Sequence, residues 1–107
     1  MQAFRLLEWG SEPEMVDVPE PEAGPGAVVI EVAGAGACHS DVHLMEIPKG
    51  APMPWGPPFT LGHENAGRVH ALGAGVTGLG IGEPVAVYGA WGCGVCQRCR
   101  LGIENYC

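Results

Sequence analysis

The chain has 107 residues, enough for one domain with a modest core. Its formal net charge is −7, and its only cations are Arg5, Lys49, Arg68, Arg98 and Arg100, so no basic face exists to neutralise phosphates and nucleic-acid binding is excluded. No run approaches the ~20 apolar residues of a membrane-spanning helix, and Met1-Gln2-Ala3-Phe4-Arg5 lacks the regions of a signal peptide, so a cytoplasmic protein with no membrane partner is expected.

Glycine (18) and proline (10) are abundant, but they separate clear apolar runs and read as turn punctuation. Phe4, Leu6, Leu7 and Trp9 predict a first strand over residues 2–9, and Ser11-Glu12-Pro13 predicts a turn. Met15 to Val18 is a short second strand. Residues 19–25 hold too many prolines for a ladder. The strongest strand spans 26–35, with Val28, Ile30 and Val32 alternating against Val29, Glu31 and Ala33. Gly34 and Gly36 break it, and Ser40-Asp41 is expected to cap a short helix over 41–46. Five prolines between Pro48 and Pro58 predict an irregular loop. Further strands are expected over 63–72 and 83–88. The sum is a mainly β fold, a small barrel or sandwich with irregular connections.

From Gly92 the chain becomes a cysteine-rich lobe. Cys93, Cys96, Cys99 and Cys107 follow the order C-x2-C-x2-C-x7-C. Four thiolates within fifteen residues suit tetrahedral zinc, and the two-residue spacers let successive sulfurs converge from one turn. All four positions would be filled by protein, so such a site is structural. The same ligand set also serves an iron–sulfur cluster or a rubredoxin-like iron, and in a secreted module it would form two disulfides.

A second constellation is less self-evident. Cys38-His39-Ser40-Asp41 and His43 follow the strongest strand, and Gly62-His63-Glu64 comes after the proline-rich loop. A lone cysteine after a strand is usually core and a lone histidine usually surface. Here metal-ligating and proton-carrying residue types crowd together, and a metal site and an ordinary structural role both stay open on chemistry alone.

Residues 34–43, Gly-Ala-Gly-Ala-Cys-His-Ser-Asp-Val-His, and 61–67, Leu-Gly-His-Glu-Asn-Ala-Gly, resemble the two catalytic motifs of the zinc-dependent medium-chain alcohol dehydrogenases. The tail from Gly92 to Cys107 resembles that family's structural-zinc lobe, and the likeness runs along the whole chain, nearest to bacterial enzymes of secondary and aliphatic alcohols. The resemblance implies a partial GroES-like irregular barrel over residues 1–107, with residues 92–107 as its zinc lobe. It implies that Cys38 and His63 are ligands of a catalytic zinc and that Cys93, Cys96, Cys99 and Cys107 hold a structural zinc. By the same resemblance Ser40 bonds the substrate alkoxide, His43 passes its proton outward, His39 faces the pyrophosphate of NAD or NADP, Asp41 orients His63, and Glu64 sits behind the zinc. It further implies a small alcohol or carbonyl substrate and a homodimeric or homotetrameric full-length enzyme. The third ligand of the catalytic zinc and the Rossmann domain would lie beyond Cys107, leaving residues 1–107 inactive alone.

Several features stay outside this picture. Gly73-Ala74-Gly75-Val76-Thr77-Gly78 satisfies G-x-G-x-x-G, but Leu79-Gly80-Ile81-Gly82-Glu83-Pro84 follows and no helix can open there, so it reads as a turn between strands. Met53 and Trp55 either line an alcohol pocket or pack their loop onto the barrel. Tyr88 and Trp91 are expected to pack beside the lobe, and His70 to face solvent. Two other functions compete: a zinc-binding module without redox chemistry, and a sibling reductase of sugars, polyols or aldehydes, against which His39 favours alcohols.

Overall fold

The computed structural model describes all 107 residues. Two three-stranded antiparallel sheets dominate it. In the first, β1 (Gln2–Leu6) lies between β2 (Glu14–Asp17) and β4 (Phe59–Thr60), with Gln2 opposite Asp17 and Leu6 opposite Phe59. In the second, β5 (Glu64–Leu72) lies between β3 (Val28–Gly36) and β6 (Pro84–Ala86). β1 stops at Leu6, short of the expected residue 9, because the chain turns there: Ser11 donates its amide and hydroxyl to the Glu8 carbonyl at 3.4 and 2.9 Å.

β-Branched residues favour the extended β3, but its two faces are not cleanly sorted. Val28, Val29 and Ile30 are all half-buried. The register against β5 shifts between Val29 and Ile30 and again between Val32 and Gly34. Such bulges turn a strand about its axis and break the expected alternation.

Leu6 of β1 and Val69 of β5 are the two fully enclosed large side chains, one from each sheet, with Ala3 and Leu61 also buried. Between the sheets runs an open cleft of about 620 Å³, lined by Phe4 and Thr60 on one side and Val29, Ile30 and Val32 on the other. The expected barrel is thus present as two facing sheets with an open seam.

α1 (His39–Glu46) leaves the end of β3, and an irregular proline-rich segment joins it to β4. That segment is pinned to the β1–β2 turn. Lys49 Nζ lies 2.7 Å from Glu8 Oε2, Arg5 donates to the Pro58 carbonyl at 2.8 Å, and Trp9 meets Trp55 and Phe59 edge-on at 5.5 and 5.7 Å. Residues 73–78 form the β5–β6 turn, with no helix, as their context predicts. The chain ends in α2 (Gln97–Arg100) and a 3₁₀ turn over Glu104–Tyr106.

Candidate metal centres

The lobe brings Cys93, Cys96, Cys99 and Cys107 together. Their sulfurs all lie within 4.8 Å of one another, with Cys96 to Cys99 at 3.5 Å and Cys93 to Cys99 at 3.9 Å. A tetrahedral zinc with bonds of about 2.3 Å needs sulfur–sulfur edges of about 3.8 Å, so the cluster has the size of a zinc cage. No disulfide links the cysteines.

Local geometry explains the convergence. Cys96 caps α2, its sulfur accepting the Cys99 amide at 3.5 Å, and the Cys96 amide in turn reaches Cys93 Sγ at 3.4 Å. The Cys93 amide reaches Cys107 Sγ at 3.5 Å. Gly92 is required beside them, since a Cβ there would collide with Cys99 Sγ. The amides of Val95 and Cys96 pull the Cys93 thiol down to about 6, whereas burial, then the neighbouring Cys96, pushes Cys99 up to about 12. One thiol is ready to ionise beside one that resists it. A dication resolves that conflict by holding all four deprotonated.

The second centre is assembled across the chain by Asp41, which is only 4% exposed. Cys38 is the N-cap of α1 and Asp41 its third helical residue. The Asp41 carboxylate accepts the Cys38 amide at 2.8 Å through Oδ2 and the Gly62 amide at 3.2 Å through Oδ1. His63 Nδ1 lies 3.5 Å from the same Oδ1. Gly62 makes this turn at φ +82°, a backbone conformation that glycine adopts freely. One carboxylate therefore ties the residue before α1 to the segment entering β5.

Asp41 thus brings the Cys38 end of α1 and His63 to the same place, one through its amide and the other through its ring. The amide and hydroxyl of Ser40 hold the Cys38 thiol below its ordinary range; burial opposes this, His63 assists and the Glu64 charge opposes. Burial would lower His63, but the Asp41 carboxylate and then Cys38 raise it above its ordinary value. Burial would raise Asp41, yet the Cys38 and Gly62 amides and His63 hold it below the usual carboxylate range. A His63 ring whose Nδ1 faces a buried carboxylate has Nε2 left as its free ligand atom, which is how a carboxylate orients a metal-binding imidazole.

Comparison with known proteins gives the family. Residues 24–107 match the family model described as the alcohol dehydrogenase GroES-like domain. The chain belongs to that family. Over its whole length it is 39% identical to a NAD-dependent alcohol dehydrogenase of Sulfurisphaera tokodaii and 40% identical to an L-threonine 3-dehydrogenase of Pyrococcus horikoshii, covering 32% and 31% of those proteins. The crystal structure of an alcohol dehydrogenase from Aeropyrum pernix superposes with a TM-score of 0.80 at 37% identity, over 94% of this chain and 30% of that one. The chain thus spans about a third of the length of these curated relatives.

In this GroES-like domain the other expected site residues fall as follows. His39, Ser40 and His43 are exposed on α1, and Glu64 opens β5 with its side chain against Gly36. Met53 is 39% exposed, and Trp55 rests on Trp9 and Phe59 while remaining 52% exposed. Tyr88 and Trp91, expected to pack beside the lobe, stand 72% and 74% exposed. His70 faces solvent as expected. Two contributors escape sequence reasoning. The Gly62 amide acts through its backbone, which leaves no residue signature, and Trp9 reaches Trp55 across 46 positions.

Proposed function

We propose that this chain is the catalytic-domain part of an oxidoreductase that interconverts an alcohol and an aldehyde or ketone by hydride transfer to NAD or NADP. The observation that carries the reading is the buried Asp41 carboxylate, which ties the Cys38 and Gly62 amides together and faces His63 at the start of α1. Bound zinc would supply Lewis acidity that brings an alcohol's proton toward neutral pKa, and the bound dinucleotide would supply the hydride acceptor.

In this reading Cys38 and His63 hold the catalytic metal, and Asp41 fixes the imidazole so that its free nitrogen faces the ion. Ser40 Oγ takes the alcohol's proton in a hydrogen bond, being too weak a base to keep it. His43, exposed on the same helix, delivers that proton to solvent. His39 contacts the dinucleotide pyrophosphate, Glu64 backs the metal, and Met53 and Trp55 offer apolar surface to a small substrate. The sulfur cage holds the lobe of residues 92–107 and does no chemistry. All strand pairs in residues 1–107 are antiparallel, so within this reading the dinucleotide is held mainly by residues outside them. Two ligands do not complete a catalytic site, and residues 1–107 alone are expected to be inactive. The whole protein is then a cytoplasmic homodimer or homotetramer.

The sulfur cage by itself would serve a zinc module without redox chemistry just as well. The Cys38–His63 pair separates the readings, since a purely structural module has no use for it. The test is alcohol-dependent reduction of NAD+ or NADP+ by the protein at the length its gene encodes, over primary and secondary alcohols. Activity is expected, abolished by Cys38→Ser and lowered about 10²-fold or more by Ser40→Ala. A protein inactive on every alcohol and on the matching carbonyl compounds, or one indifferent to Cys38→Ser, would overturn the proposal.

A further inference from the structure

We infer that His39 and His43 form a third cation site, on the exposed face of α1, for borderline divalent transition metals such as Ni²⁺ or Zn²⁺. Four residues apart on one helix, the two imidazoles lie on the same face, one turn above the other. That spacing is how a helix offers two histidines to one metal ion. The rings are already together, with centroids 4.6 Å apart and planes at 71°. Two imidazoles sharing one ion through bonds of ~2.0–2.1 Å have ring centroids about 4.5–5.2 Å apart, so the ring separation already suits a shared ion.

A carboxylate completes the arrangement. Glu46 Oε2 lies 3.4 Å from His43 Nδ1, and the two side chains are 68% and 66% exposed. With the carboxylate on its Nδ1 side, His43 has Nε2 as the ligand atom facing away from Glu46. Exposure lets an incoming ion keep water in its remaining positions, as a labile site requires. Imidazole pairs select Zn²⁺, Ni²⁺ and Cu²⁺ over Mg²⁺ and Ca²⁺, which want oxygen. The site shares no ligand with the sulfur cage or with the Cys38–His63 pair. One consequence rests on the proposed function, though the binding itself does not: an ion here occupies both the proton-delivering and the pyrophosphate-facing histidine, so excess metal inhibits.

The test titrates Ni²⁺ into the full chain carrying one equivalent of zinc, by calorimetry and by proton NMR of the four histidine rings. The His39 and His43 resonances are expected to broaden first, with His63 and His70 following only at higher Ni²⁺. His39→Ala and His43→Ala should each weaken this binding at least about tenfold, and Glu46→Gln about tenfold. Alanine favours helix, so loss of binding in these variants is not loss of α1, and circular dichroism checks this. Broadening of His63 first, or wild-type affinity in the His39→Ala/His43→Ala double variant, would overturn the inference.

Discussion

Asp41 shows how one side chain can decide whether a site exists. Its two oxygens accept amides from both sides of the proline-rich loop, from Cys38 and Gly62, and one of them also faces His63. Replacing it by alanine leaves two amides without an acceptor in a half-buried place, at about 1–3 kcal/mol for each such group. Asp41→Ala is therefore expected to lower unfolding stability by about 2–6 kcal/mol, read from urea denaturation. Asp41→Asn keeps one acceptor oxygen but loses the charge opposite His63, so it should cost less. Equal midpoints for both variants and the wild type would show that the carboxylate does not tie the two segments. The residue types at this site were legible in the sequence, because cysteine, histidine, serine and aspartate clustered after a strand end are uncommon without a reason. Their mutual geometry was not, since it runs through a backbone amide that every sequence possesses.

At the scale of elements, local signals misplace a boundary where tertiary contacts decide it. Ser40 and Asp41 are the better caps by propensity, so the helix is expected from residue 41. It starts instead at His39 with Cys38 as its N-cap, because Asp41 reaches back to the Cys38 amide from inside the first turn. β4, only Phe59 and Thr60, has no periodicity to detect and exists through its pairing with β1. The proline-rich segment was legible as irregular, but its anchoring to the β1–β2 turn was not. That anchoring has a pH dependence. Hydrogen bonding and then attraction from Lys49 lower the Glu8 carboxyl below its ordinary 4.5, and the same contact raises Lys49. Because the folded value is the lower one, the bridge is complete above the ordinary carboxylate range and is lost as pH falls through the depressed value. A carboxyl ¹³C titration should place the Glu8 midpoint below 4.5, and Lys49→Ala should return it to the ordinary value. An unchanged midpoint in Lys49→Ala would show that the bridge does not form in solution.

As a whole molecule the chain is open. Only 8 of 107 residues are buried, and Trp91, Tyr88, Val95 and Leu101 are among the apolar side chains left in solvent. Its radius of gyration is 15.7 Å, against about 13 Å for a compact domain of this length. With so little apolar surface enclosed, metal binding carries an unusual share of the stability. Thiolate cages of this kind contribute on the order of 10 kcal/mol to the fold they organise. Stripping the metal with a strong chelator is expected to lower Tm by about 40 °C or more, which amounts to loss of the folding transition, at roughly 4–8 °C per kcal/mol for a chain of this size. The lobe was the most legible part of the chain, since its ligands are close in sequence and the spacing alone fixes them near one another. The open seam between the sheets was not legible, because it depends on how six short strands are shared between two sheets.

Zinc content after dialysis against a mild chelator tests most directly whether the chain carries a closed sulfur cage and a separate, incomplete Cys38–His63 site. One zinc per chain is predicted, retained by Cys38→Ser and lost by Cys96→Ser. Two tightly held zincs, or one that survives in Cys96→Ser, would contradict the account.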